Sequence, residues 1–131
     1  MFYGNLTNTT VAASSAYSFN ISDLLGTTLS YSNGTLTFNA PGIYRIHFDA
    51  TVTGTTSTSS LATTAFYVNG TQFKTALATS SVDDTSDGVI SFETIVKVGK
   101  SSTSNKVTAQ IVQLTNPVSV VNANFVVTRI A

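Results

Sequence analysis

The chain has no cysteine and no tryptophan, and only one histidine, one methionine and two prolines among its 131 residues. Without cysteine there is no disulfide, no thiolate-bound zinc and no thiol nucleophile; the absence does not reveal a redox compartment. Charge is scarce too, at 9% of residues against roughly 25% in an average soluble protein. Six basic residues balance six acidic ones for a net charge of +0. That removes the electrostatic footprint that nucleic acid or anionic lipid would need, so neither is an expected partner. No window approaches the roughly 20 apolar residues of a membrane-spanning helix. Met1 is followed by Phe2-Tyr3-Gly4-Asn5, not by a basic and then apolar leader, so the expectation is a soluble chain, either a fragment or a virion component made without a signal peptide.

What replaces the missing charge is threonine, serine and asparagine, alongside 42% hydrophobic residues. Good helix formers are nearly absent, whereas Thr, Val, Ile, Phe and Tyr suit strands, so the expected class is all-β. The length fits one domain over residues 1–131, enough to bury a single core. Alternating apolar runs separated by Gly, Asn, Ser and Asp clusters predict strands over residues 2–5, 17–20, 35–39, 42–53, 63–69, 72–77, 88–98, 106–114 and 118–130.

In the longest run, Tyr44, Ile46, Phe48, Ala50 and Val52 share one face, and Arg45, His47, Asp49 and Thr51 share the other. Asn69-Gly70 and Asn33-Gly34 predict tight hairpins, because both residue types tolerate positive φ. Ala40-Pro41-Gly42 predicts a corner between strands. Gly99 with the 101–105 tract is expected to turn the chain into the next strand. The last segment, around Phe125-Val126-Val127, is apolar on both faces, which predicts a doubly covered strand and hence more apolar sheet than one subunit can hide.

Leu36-Thr37-Phe38 with Ala40-Pro41-Gly42-Ile43-Tyr44-Arg45-Ile46, the Val68-Asn69-Gly70 turn, the 91–98 strand ending at Gly99 and the closing Phe125-Val126-Val127 resemble, in that order, the complement-globular-head and tumour-necrosis-factor-like (TNF-like) jelly-roll family. The low-charge, Thr-rich character and the ending Val126-Val127-Thr128-Arg129-Ile130 look most like heads of bacterial spore-surface collagen-like glycoproteins and of phage or viral spikes. The turn after the penultimate strands departs from the family in reading Gly99-Lys100. The resemblance implies a sandwich of about ten antiparallel strands. It also implies a homotrimer whose first, last and long middle strands face the three-fold axis, displayed outside a spore exosporium, virion or cell. Candidate interface residues on those strands are Phe2, Tyr3, Arg45, His47, Asp49, Phe125 and Val127.

Other chemistry is thinly supported. A hydrolytic triad has only His47 to use, with no Gly-x-Ser-x-Gly elbow, and Glu93 is the sole glutamate for paired-carboxylate chemistry. The expectation is therefore a protein that is not an enzyme. Arg45, His47 and Asp49 read either as a satisfied polar stripe or as a register-fixing set repeated around an axis. Asp83, Asp84 and Asp87 are half of all acidic groups and form the kind of cluster calcium takes; ordinary acidic turn residues are the competing reading. No other cofactor is expected. The Asn-x-Ser/Thr matches carry little weight in so Asn- and Thr-rich a chain. The function expected is structural shielding and attachment to a host receptor or glycan. The alternative is a carbohydrate-binding β-sandwich module, although the aromatics, without Trp, read mainly as core.

Overall fold

A computed structural model describes residues 1–100 and 105–131, apart from the side chains of residues 74 and 75. The elements are β1 (Phe2–Val11), β2 (Ser15–Ala16), β3 (Asn20–Leu24), β4 (Leu29–Ser32), β5 (Thr35–Phe38), β6 (Gly42–Gly54), β7 (Ser60–Val68), β8 (Thr71–Val82), β9 (Gly88–Val98), β10 (Thr108–Thr115) and β11 (Val118–Arg129). They form two antiparallel sheets, one of order β3-β1-β11-β6-β9 and one of order β4-β5-β10-β7-β8, with β2 added beside β10. The chain is an all-β jelly-roll sandwich, with eleven strands among the described residues.

Alternation builds the sandwich. Tyr44, Ile46, Phe48, Ala50 and Val52 are all buried, as the long-strand pattern predicts, and face Phe66, Ala109 and Ile111 of the second sheet within one core. Rings fill its centre: Phe125 lies 5.6 Å from Phe2 and 5.3 Å from Phe19, and Phe48 lies 5.3 Å from both Tyr17 and Phe92. Each such side chain contributes about 1.5–3 kcal/mol by leaving water. Both Asn-Gly hairpins form, with φ of 50° and 80° at Asn33-Gly34 and 50° and 78° at Asn69-Gly70, the left-handed pair a two-residue turn requires. The corner at residues 39–41 carries the chain from β5 in one sheet to β6 in the other.

Three expectations are corrected. First, residues 17–19 are not a strand. They cross from β2 in one sheet to β3 in the other, carrying Tyr17 and Phe19 into the core. The crossing backbone bonds where it can: Tyr17 N–H donates to Ile111 O at 2.8 Å and Phe19 N–H to the Tyr31 hydroxyl at 2.9 Å. Gly4 makes room for it, since a Cβ there would lie 2.8 Å from Phe19 Cβ. Second, β1 extends to Val11 and the short strands β3 and β4 appear, because edge pairing does not need a buried face; every residue of β3 is exposed. Third, within the subunit β11 is covered on one face only. Its inner face, Val118, Val120, Ala123, Phe125 and Val127, is buried, whereas Asn122 and Val121 on the far side are exposed. The turn expected over 101–105 lies largely outside the described residues.

Candidate functional site: the outer face of the five-stranded sheet

Strand pairing decides which predicted residues meet. In β1, β11, β6 and β9 the register places Tyr3, Val126, His47 and Glu93 in one row, and Asn5, Asn124, Asp49 and Ser91 in the next. Residues in register on one face of antiparallel strands are close enough for direct side-chain contact. Tyr3, Arg45, His47 and Asp49 therefore share the solvent side of this sheet.

These rows are hydrogen-bonded. The Tyr3 hydroxyl donates to Asn124 Oδ1 at 2.8 Å, and Asn124 Nδ2 donates to Asp49 Oδ1 at 3.0 Å. Asp49 Oδ2 lies 2.8 Å from His47 Nε2. Asn5 Nδ2 reaches Asn124 Oδ1 at 3.0 Å and Asn122 Oδ1 at 2.9 Å. His47 Nδ1 stands 3.9 Å from Glu93 Oε2, and Glu93 Oε1 accepts from Arg45 Nε at 3.0 Å. An unbroken chain of polar contacts thus runs from Tyr3 on β1 to Arg45 and Glu93 at the β6–β9 boundary. The network brings the Arg45 guanidinium and the Asp49 and Glu93 carboxylates onto one face. As free surface pairs, half exposed at Arg45 and Glu93, these contacts are worth about 0–1 kcal/mol each.

Phe2, Phe125 and Val127 are corrected. Their side chains point to the other side of the same strands and are at most 1% exposed within the subunit's own core, so none of them is available to a second copy. Sequence reasoning missed Asn5, Asn122, Asn124 and Glu93. The signal was there in Asn122-Ala123-Asn124-Phe125, where amides alternate with core residues. Exposed aliphatics flank the network at the β9 edge, where Val89 and Ile95 alternate with the buried Ile90 and Phe92; at the β3 edge the register puts Asn20 and Asp23 on this face and turns Ile21 and Leu24 to the other side.

The acidic loop is corrected as well. Asp83 Oδ1 accepts from both the backbone N–H and the hydroxyl of Thr85 at 2.9 Å, and these bonds hold its carboxyl below the usual range. Among the described residues, no three His, Cys, Asp or Glu side chains converge so as to hold a metal ion, so Asp83, Asp84 and Asp87 do not form the expected calcium cluster. Nor does any hydroxyl among the described residues bond His47, so a nucleophile–base pair is not assembled around it.

Beneath the second sheet lies a buried polar cluster that sequence reasoning also missed. Gln113 Oε1 accepts from Thr64 Oγ1 at 2.6 Å and from the Tyr17 hydroxyl at 3.0 Å, while Gln113 Nε2 donates to Thr115 O and Asn116 O at 2.9 and 3.0 Å. Every polar atom of the amide is paired, which makes its burial tolerable. Burial pushes the Tyr17 hydroxyl pKa up to about 12, against a smaller lowering by Thr64.

No protein-family model matches the chain, and no curated protein sequence matches it. Solved structures do. The globular domain of zebrafish complement 1qA protein superposes with a TM-score of 0.66 at 13% identity, over 99% of this chain and 96% of that one. Murine APRIL at pH 5.0 gives 0.61 at 9% identity over 95% and 96%. The PRD1 vertex protein P5 gives 0.60 at 16% identity over 99% of this chain and 72% of that one. The two antiparallel sheets, which superpose over 95–99% of this chain on the complement 1qA globular domain, APRIL and the vertex protein P5, give the chain a TNF-like jelly-roll fold.

Proposed function

We propose that this protein is a non-enzymatic homotrimeric head, displayed on a spore, virion or cell exterior, that serves shielding and attachment. The observation that carries this is the outer face of the five-stranded sheet: polar groups tied to one another at its centre, and exposed Val89 and Ile95 at its β9 edge. A surface whose hydrogen bonds are already made internally can be covered by a protein partner without leaving orphaned donors. The two edges of the face differ, Val89 and Ile95 on β9 against Asn20 and Asp23 on β3, so a contact that joins one edge to the other is heterologous, and it closes into a ring of three when each copy is turned by a third of a circle. The likeness in fold to a complement head and a vertex protein supports the ring being a trimer at a surface. The test is molar mass by light scattering: three copies of a 13.7 kDa chain give about 41 kDa, and Ile95→Lys shifts the mass toward one copy while keeping the strand signature in circular dichroism. A wild-type mass of one chain at high concentration overturns the proposal.

A further inference from the structure

The second sheet has an outer face of its own, and its chemistry is different. Between β2, β7 and β10 lies an open concavity of about 370 Å³, within the size range of small-molecule sites. Its floor is aliphatic, from Val112, Leu114 and Ala16, and its polar groups are Tyr67, Gln110 and Ser14. Among the described residues, no charged side chain lines it.

Tyr67 stands apart from the other aromatics. Every other Phe and Tyr either pairs with another ring or makes a side-chain hydrogen bond, as Tyr3 does with Asn124. Among the described residues Tyr67 does neither, although it is half-buried, and its neighbour Phe66 is wholly in the core. It points outward, in register with Gln110 on one side and Gln72 on the other. Gln110 Nε2 is held by Thr35 Oγ1 at 3.1 Å, which fixes the amide and leaves Oε1 without a partner among the described residues. Ser14 sits at the rim, its backbone N–H anchored to Gln113 O at 2.6 Å, and its hydroxyl is likewise unpartnered.

We infer that this concavity is a binding site for a neutral carbohydrate. The described lining offers an ionic ligand no opposite charge to pair with. An aromatic ring beside an aliphatic floor takes the C–H face of a pyranose, and a fixed amide oxygen with two free hydroxyls takes its hydroxyl groups; a purely apolar ligand would leave those groups unpaired. All the lining residues come from one subunit, on the sheet opposite the proposed trimer face, so the site does not depend on oligomeric state.

The test is ligand-observed NMR on the full chain with galactose, glucose, N-acetylglucosamine and lactose, together with glucuronate as a charged comparison. Expected is saturable binding of at least one neutral sugar, weakened about tenfold or more in Tyr67→Ala and clearly in Gln110→Ala, with both variants melting like wild type. Three results overturn the inference: no saturable binding of any neutral sugar, binding unchanged in both variants, or preference for glucuronate. A monomeric mass alongside sugar binding would sink the trimer and leave this site standing; a trimer without sugar binding would do the reverse.

Discussion

The two outer faces of the sandwich share one core and differ in how their polar groups are used. On the five-stranded sheet, Tyr3, Asn5, Asn122, Asn124, Asp49 and His47 bond to one another across three strands. On the other sheet, Tyr67, Gln110 Oε1 and Ser14 Oγ face outward over Val112 and Leu114 with no partner among the described residues. A self-satisfied face suits coverage by a large dry surface, because nothing is orphaned when water leaves. A face with free donors and acceptors above an aliphatic floor offers those groups to something small. The same β alternation yields both, and the difference lies in which outward residues the register brings together.

The comparison can be broken from the inside first. Phe125→Asp puts an unpaired charge among Phe2 and Phe19, at a cost of about 4 kcal/mol or more. Both faces should vanish together, seen as loss of cooperative thermal unfolding, whereas Lys100→Glu at an exposed position stays within about 0.5 kcal/mol of wild type. Alkali is the next lever. Tyr17 is held protonated in the fold to about pH 12, against about 10 in the unfolded chain, so the unfolded state releases its proton first. The resulting stability is fully present below pH 10 and is lost as the pH rises toward 12, by about 3 kcal/mol in all. Denaturant unfolding across that window should show the loss, and Tyr17→Phe should flatten it. Burial also raises the Tyr31 and Tyr44 hydroxyls, which adds to the loss in the same direction.

Smaller effects separate the faces. Asp49→Ala cuts the bridge between Asn124 and His47. It should weaken self-association about tenfold in dilution light scattering while changing subunit stability by under about 1 kcal/mol. Tyr67→Ala should be smallest of all by these readouts, with stability within about 0.5 kcal/mol and molar mass unchanged, its effect confined to the sugar titration.

Much of the fold was legible because β6 and β9 alternate cleanly and the hairpins carry Asn-Gly. The crossing at residues 17–19 was hidden because buried aromatics look alike in a strand and in a loop that spans two sheets. The polar half of the candidate face, Arg45, His47 and Asp49, could be found from alternation within one strand. Phe2, Phe125 and Val127 were misplaced because facing depends on register: β11 sets Val126 opposite His47 and Phe125 opposite Phe48, and no single strand discloses that pairing. Gln113 escaped notice since a buried amide looks like a surface one until its four partners are known.

His47 is the only histidine in the chain, lies in the middle of the face that copies would cover, and is 37% exposed at its side chain in the free subunit. Its rate of carbethoxylation, read by mass spectrometry over a range of protein concentrations, therefore reports coverage of that face alone. The account predicts fast modification when the protein is dilute and marked protection when it is concentrated, with protection lost in Ile95→Lys. A rate that does not change with concentration, at a molar mass of one chain, would contradict it.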